Sequence, residues 1–315
     1  NGTWAVFLTS GYNNADGKGY VYVLNAGTGA VIQTITNPDG AGMKDLNNFM
    51  KDPAGNNTST LFYGGDIQGN IWRYQWISGS YQAKKVVQLK DEGGTEQPIT
   101  TRLELVQSPN ASALPRILVA TGKLLGMGDL LTTGQQTIYG IDDVADGYSS
   151  SGTSFRASLK KSVLTNVTDA SGKLTRKLQC APSLSDAVCN DATKSWYVDL
   201  PDTGERVNVD LRLANTTLVV ASNVPSNEPC VAGGKGWINY LDFQTGQAVN
   251  TSTGMAGESV DGLISGNDLS ANQSGKVTSH VSPSQVPENP IDIKIPVATP
   301  KPLGKRISWR ELVNQ

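Results

Sequence analysis

Long apolar runs are missing from this chain. No stretch of about 18 residues is hydrophobic enough to cross a bilayer as a helix. Charge imbalance is missing too: 26 Lys and Arg face 28 Asp and Glu, for a net charge of −2. That balance gives no electrostatic reason to expect nucleic acid or an acidic membrane as partner. Histidine occurs once, as His280. A Ser-His-Asp or Cys-His device needs one, but His280 stands in "SHVSP" beside a Pro-rich stretch and reads as an exposed loop residue. No phosphate loop of the G-x-x-x-x-G-K-[ST] type occurs, and "GKGY" and "GGKGW" are short Gly turns. Asp142 and Asp143 are adjacent, which points them to opposite faces of a strand. They read as turn residues rather than an acid/base pair. No catalytic or cofactor-binding residue is assigned, and no enzyme activity is expected.

Cysteine is scarce, with 3 in the chain. "CAPSLSDAVC" closes a short loop that suits a local disulfide between Cys180 and Cys189, worth roughly 2–3 kcal/mol by chain entropy. It implies an oxidising compartment. Three reduced, buried thiols are the alternative. Cys230 is left over, free or paired elsewhere, and the set is too small for a zinc site. No signal peptide is visible. The chain opens without Met on "NGTWAVFLTSGYNN", already strand-like, and reads as a fragment of a longer exported protein.

What the chain does have is glycine and repetition. Gly is 34 of 315, above the usual level of about 7%. Four segments share one order: "GYVYVLNAGTG" (19–29), "GNIWRYQWISG" (69–79), "QTIYGIDDVADG" (136–147) and "GWINYLDFQTG" (236–246). Each is a strand of alternating apolar residues closed by a Gly turn, and in three of them an Asn or Asp shortly before the turn can bond the nearby backbone. Near-continuous apolar runs precede three of them: "STLFYGGD" (59–66), "RILVATGK" (116–123) and "TTLVVASN" (216–223). Such runs suit strands buried on both faces. The spacing starts near that of a propeller blade, roughly 40–50 residues, and the longest gap leaves room for an insertion or a divergent blade.

The expected fold is therefore all-β: a modified β-propeller, a partial or full set of four-stranded blades. A β-sandwich, or two, is the alternative. Residues 148–195 read as an insertion carrying a hairpin. The propeller is expected over 1–280 and a Pro-rich tail over 281–315, docking back on it. Within the tail Ile291, Ile293, Ile295 and Val297 alternate as an edge strand would, and Ile307, Trp309 and Leu312 are candidate anchors.

One metal site is arguable. Asp52, Asn56 and Thr60 hold positions one, five and nine of "DPAGNNTST", a spacing that suits calcium. Only one is a carboxylate and position three is Ala54, so a polar interblade loop is the bland reading. The "LNAGTG" turn also fits the blades of quinoprotein dehydrogenases, which use pyrroloquinoline quinone and calcium. No cofactor-holding carboxylate or catalytic Asp for that chemistry is identifiable, so the turn supports the fold more than the activity.

Taken in order, "SGYNNADGKGYVYVLNAGTG", "YGGDIQGNIWRY", "QPITTRLE", "ILVATGKLLGMGD", "WYVDLPDTGERV", "ASNVPSNEPCVAGGKGWINYLDFQTG" and the terminal "SWREL" resemble the C-terminal domain of the PilC/PilY family, type IV pilus tip-associated proteins. The resemblance covers most of residues 1–250. It implies a modified propeller at the end of a larger secreted protein, at the cell surface or pilus tip. It implies a non-enzymatic role in pilus assembly, in opposing retraction, and in adhesion and twitching motility. Minor pilins and a host or surface ligand are the implied partners. The family's D-x-D/N-x-D-x-x-x-D calcium loop aligns with Asp52, Ala54, Asn56 and Thr60, where three of four carboxylates are replaced.

Overall fold

Alternating β-branched and aromatic residues cut by Gly turns fold into short antiparallel strands. The computed structural model describes residues 4–50, 55, 58–110, 112–226, 233–284 and 291–297. The first blade holds β1 (Ala5–Thr9), β2 (Tyr20–Asn25) and β3 (Val31–Thr36), in that order. The second holds β4 (Asn47–Phe49), β5 (Leu61–Gly65), β6 (Asn70–Ile77) and β7 (Ser80–Gln88). The third starts with β8 (Glu104–Gln107), β9 (Pro115–Ala120) and β10 (Thr137–Asp142). An insertion follows: helix α1 (Gly152–Ala157), the hairpin β11 (Lys160–Thr168) and β12 (Leu174–Cys180), and helix α2 (Asp186–Cys189). Strand β13 (Trp196–Asp199) then completes the third blade on β10. The fourth holds β14 (Arg212–Ala214), β15 (Thr217–Pro225), β16 (Gly234–Asp242) and β17 (Met255–Asp261). The fifth holds β18 (Ile264–Ala271), β19 (Val277–Pro283) and β20 (Ile291–Ile295).

The expected all-β propeller architecture is present, and its modification lies in the insertion. β11 runs parallel to β13, with Lys160 opposite Trp196, while β12 runs antiparallel to β17, with Thr175 opposite Glu258. The hairpin thus joins the edges of blades three and four into one ten-stranded sheet. An edge strand offers unpaired backbone groups, and here the inserted hairpin takes up both edges.

The apolar runs become the second strands β5, β9 and β15. Every residue of β9 is buried, as are the first seven of β15. Four hydrophobic clusters fill the spaces between blades, the largest around Leu118, Ile138, Trp196, Leu218 and Val220. The alternation of Ile291, Ile293 and Ile295 is realised in β20, which pairs with β19 and sends Ile293 and Ile295 into the last cluster. Ile307, Trp309 and Leu312 lie outside the described residues.

The structure explains the Asx-then-Gly turns. Asn25 Oδ1 accepts from the N–H of Gly27 and Thr28 at 2.9 and 3.0 Å. Asp242 Oδ1 accepts from Gln244 and Thr245 N–H, both at 2.9 Å. Gly246 then sits at φ +64°, where L side chains are strained. It is also the wall against which the Trp196 indole packs: a Cβ there would overlap the ring, as would one on Gly140. Trp196 is fully buried, and its Nε1–H donates to the Phe243 carbonyl at 3.0 Å. So the third blade's last strand is held in the turn of the fourth. Gly246→Ala combines backbone strain with overpacking and is expected to destabilise the fold by about 2–4 kcal/mol, read as a lower urea midpoint. Gly17→Ala, with open space around its Cβ, is the control for φ strain alone.

Candidate functional site

The most chemically loaded positions are the seams between blades. Strands buried on both faces cannot leave a charge to water, so each buried cation must meet its partner inside the chain. Between blades two and three, Arg73 Nη1 lies 2.7 Å from Asp143 Oδ2, and Tyr63 Oη–H donates to the same oxygen at 2.7 Å. Burial pushes the Asp143 carboxyl up and the Arg73 charge pulls it back down, with burial the larger effect. On the opposite face of the same strand end, Arg116 binds Asp142 through Nε at 3.0 Å and Nη2 at 2.6 Å. Its Nη1 reaches across to the Gln244 carbonyl of the fourth blade. Asp142 and Asp143 do point to opposite faces, but both are buried seam anchors rather than turn residues.

The inserted hairpin carries the third such site. Arg176 on β12 makes a two-toothed ion pair with Glu205, both contacts at 2.7 Å and both side chains fully buried. The Arg176 guanidinium stacks over the Trp237 indole, 3.8 Å from its centroid, and also binds Asn239 Oδ1 at 2.8 Å. Asp66, from "YGGDIQGN", has no cation partner among the described residues. It accepts from the N–H of Gln68 and Asn70 at 2.9 and 3.0 Å, and from Trp72 Nε1 at 2.8 Å. Burial raises its pKa against these hydrogen bonds. These groups form separate sites, and among the described residues no group of three or more His, Cys, Asp or Glu is placed to hold a metal ion.

An open feature lies between blades four and five. A groove of about 620 Å³ runs between the loop before β17 and the β18–β19 hairpin. Its floor includes Tyr240, Met255 and Val297, and its rim carries Asn250, Lys276 and Lys294. Tyr240 is 3% exposed, and burial raises its pKa. Asn250 and Asn272 cap their own loops, accepting from Ser252 and Ser274 hydroxyls at 2.7 Å each. The arrangement offers an apolar floor flanked by amides and two cations to a partner with apolar and anionic groups.

Of the residues singled out in the sequence, Asp52, Asn56 and Cys230 lie outside the described residues. Thr60 is exposed and its carbonyl accepts from Trp76 N–H at 3.0 Å. Cys180 and Cys189 are joined, with Cα atoms 5.9 Å apart. Beside them Lys160 is buried, its pKa lowered to about 8 by desolvation, and its Nζ donates to the Cys189 and Asp191 carbonyls at 2.6 and 3.1 Å. His280 is not in a loop. It lies in β19, between Ser270 and Asp292. Arg116, Arg176 and Glu205 had no sequence signal, since nothing in one sequence links residues so far apart.

Comparison with known proteins agrees with this architecture. The family model "PilY1 beta-propeller domain" matches residues 1–93. A type IV pilus biogenesis factor PilY1 homologue from Xylella fastidiosa is 26% identical over 278 residues, covering 79% of this chain and 18% of that protein. The Pseudomonas aeruginosa PAO1 type IV pilus biogenesis factor PilY1 is 25% identical over 288 residues, covering 78% of this chain and 24% of that protein. The crystal structure of the P. aeruginosa PilY1 C-terminal domain superposes with a TM-score of 0.70 at 20% identity, over 93% of this chain and 70% of that one. The fold is thus a modified β-propeller. Within that class, the chain is similar to PilY1 proteins over more than three quarters of its length, and it spans about a fifth to a quarter of the curated relatives it matches.

Glu205→Ala would strip the buried Arg176 guanidinium of its two-toothed partner and leave it only Asp202, at 3.5 Å, an expected loss of about 3 kcal/mol in chemical unfolding. Replacing both partners together (Arg176→Met with Glu205→Leu) is expected to recover most of it, because no charge is then stranded.

Proposed function

We propose that this chain is the propeller module of an exported type IV pilus biogenesis factor, acting by binding at the pilus tip. The observation that carries this reading is alignment with PilY1 proteins over more than three quarters of the chain. In this reading the module contacts minor pilins on one side and a surface or host ligand on the other. It promotes assembly, opposes retraction and supports adhesion and twitching. The groove beneath Lys276 and Lys294 is the contact surface that chemistry favours, since it is concave, largely apolar and rimmed by two cations in a chain of net charge −2. The reading keeps a weak calcium site at Asp52, Asn56 and Thr60. With one carboxylate its dissociation constant is expected near 10⁻⁴–10⁻³ M, roughly that of weak extracellular modules, which titration calorimetry measures.

Reversing both rim charges, Lys276→Glu with Lys294→Glu, is expected to leave the parent protein folded and exported but to lower surface pili several-fold. Unchanged pili and twitching in that variant remove the groove from this reading. Unchanged pili after deletion of the whole 315-residue region remove the reading itself.

A further inference from the structure

The fifth blade carries a feature that a binding role does not use. Its strands turn Val277, Val281, Ile293 and Ile295 toward the core. Strand alternation therefore sends Asp268, Ser270, Thr278, His280, Asp292 and Lys294 to the outer face. His280 stands directly opposite Asp268 on one side and Asp292 on the other. Asp268 is engaged by Arg212 at 3.0 Å. Asp292 is left to the imidazole, its Oδ1 2.7 Å from His280 Nδ1. A carboxylate only accepts, so Nδ1 carries the proton and Nε2 presents its lone pair. That lone pair faces the Ser270 hydroxyl, with Oγ 2.6 Å from Nε2. Ser270 lies two residues along β18 from Asp268, on the same face, opposite Thr278.

We propose that Ser270 is a nucleophile activated by His280 and oriented by Asp292, able to take an acyl group from an activated ester. The three residues reproduce the hydrogen-bond order of a serine-histidine-aspartate relay. In the step, Ser270 Oγ attacks the acyl carbon while its proton passes to His280 Nε2. The carbon–oxygen bond to the leaving alcohol breaks, and the proton goes on to the departing oxygen. Water then attacks the acyl-serine through the same imidazole, releasing the carboxylic acid and restoring the hydroxyl. His280 is 36% and Asp292 64% exposed in their side chains. The developing oxyanion therefore meets solvent rather than fixed donors, which restricts the chemistry to good leaving groups. This proposal is independent of the pilus reading, and failure of either leaves the other standing.

The test is acetylation of the full chain by p-nitrophenyl acetate, followed by intact mass and peptide mapping. Ser270 is expected to label about a hundredfold faster than other exposed serines, the low end of general-base assistance. Ser270→Ala should abolish that adduct. His280→Gln should abolish it with the serine still present, and Asp292→Asn should slow it with the melting temperature unchanged. Labelling spread over serines by exposure and indifferent to His280→Gln overturns the proposal. So does nitrophenol release that persists in Ser270→Ala, which would make the imidazole itself the nucleophile.

Discussion

A guanidinium enclosed between two sheets has no water to turn to, and the chain is built around that fact. Arg73, Arg116 and Arg176 are each 3% exposed or less, and each meets a carboxylate at 2.6–2.7 Å. Such pairs contribute little net stability compared with apolar residues of the same shape, because desolvation offsets their attraction. What they fix is geometry. Arg73 of blade two finds Asp143 of blade three, and Arg116 of blade three reaches the Gln244 carbonyl of blade four. A planar fork gripping two oxygens tolerates little rotation. The seams therefore set the angle between neighbouring blades, while the clusters around Trp196 and Tyr139 supply the burial that holds them together.

The inserted hairpin extends the same logic. A pair of strands reaching from β13 to β17 could slip by two residues and keep its backbone ladder. The Arg176–Glu205 pair, stacked on Trp237, removes that freedom, because a shifted Arg176 would be a bare charge in the interior. Lys160 does the same at the other end of the hairpin by tying β11 to the carbonyls around α2. Its lowered pKa, about 8, records the desolvation of that buried ammonium.

Strand composition and turn chemistry made much of this fold legible in the sequence. "RILVATGK" reads as a strand buried on both faces because it has no polar alternation, and β9 is buried throughout. "DFQTG" reads as a turn because Asp and Gly supply the capping oxygen and the positive φ, and both do so. The insertion at 148–195 was legible as a gap between repeats. Its role was not, because strand pairing between β12 and β17 depends on which edges are free in three dimensions. Asp142 and Asp143 show the same limit. Their opposite directions follow from the two-residue period of a strand, but their partners Arg116 and Arg73 are separated from them by 26 and 70 residues. His280 was misplaced for a related reason: neighbouring prolines suggested a loop, whereas pairing with β18 and β20 holds it in a strand.

That pairing gives the outer face of blade five its chemical character. Residues on a loop hold their separation only as well as the loop holds its shape. On an antiparallel sheet, directly opposed Cβ atoms stay within about 5 Å of each other, and the inward-facing Val281, Ile293 and Ile295 are locked in a core cluster. The spacing of His280 and Asp292 is therefore set by buried backbone pairing even though the side chains themselves are in water. Exposure weakens what such a relay can do, because solvent competes for every hydrogen bond in it. It also leaves the site open to large acyl donors, since a sheet face has no walls to exclude them.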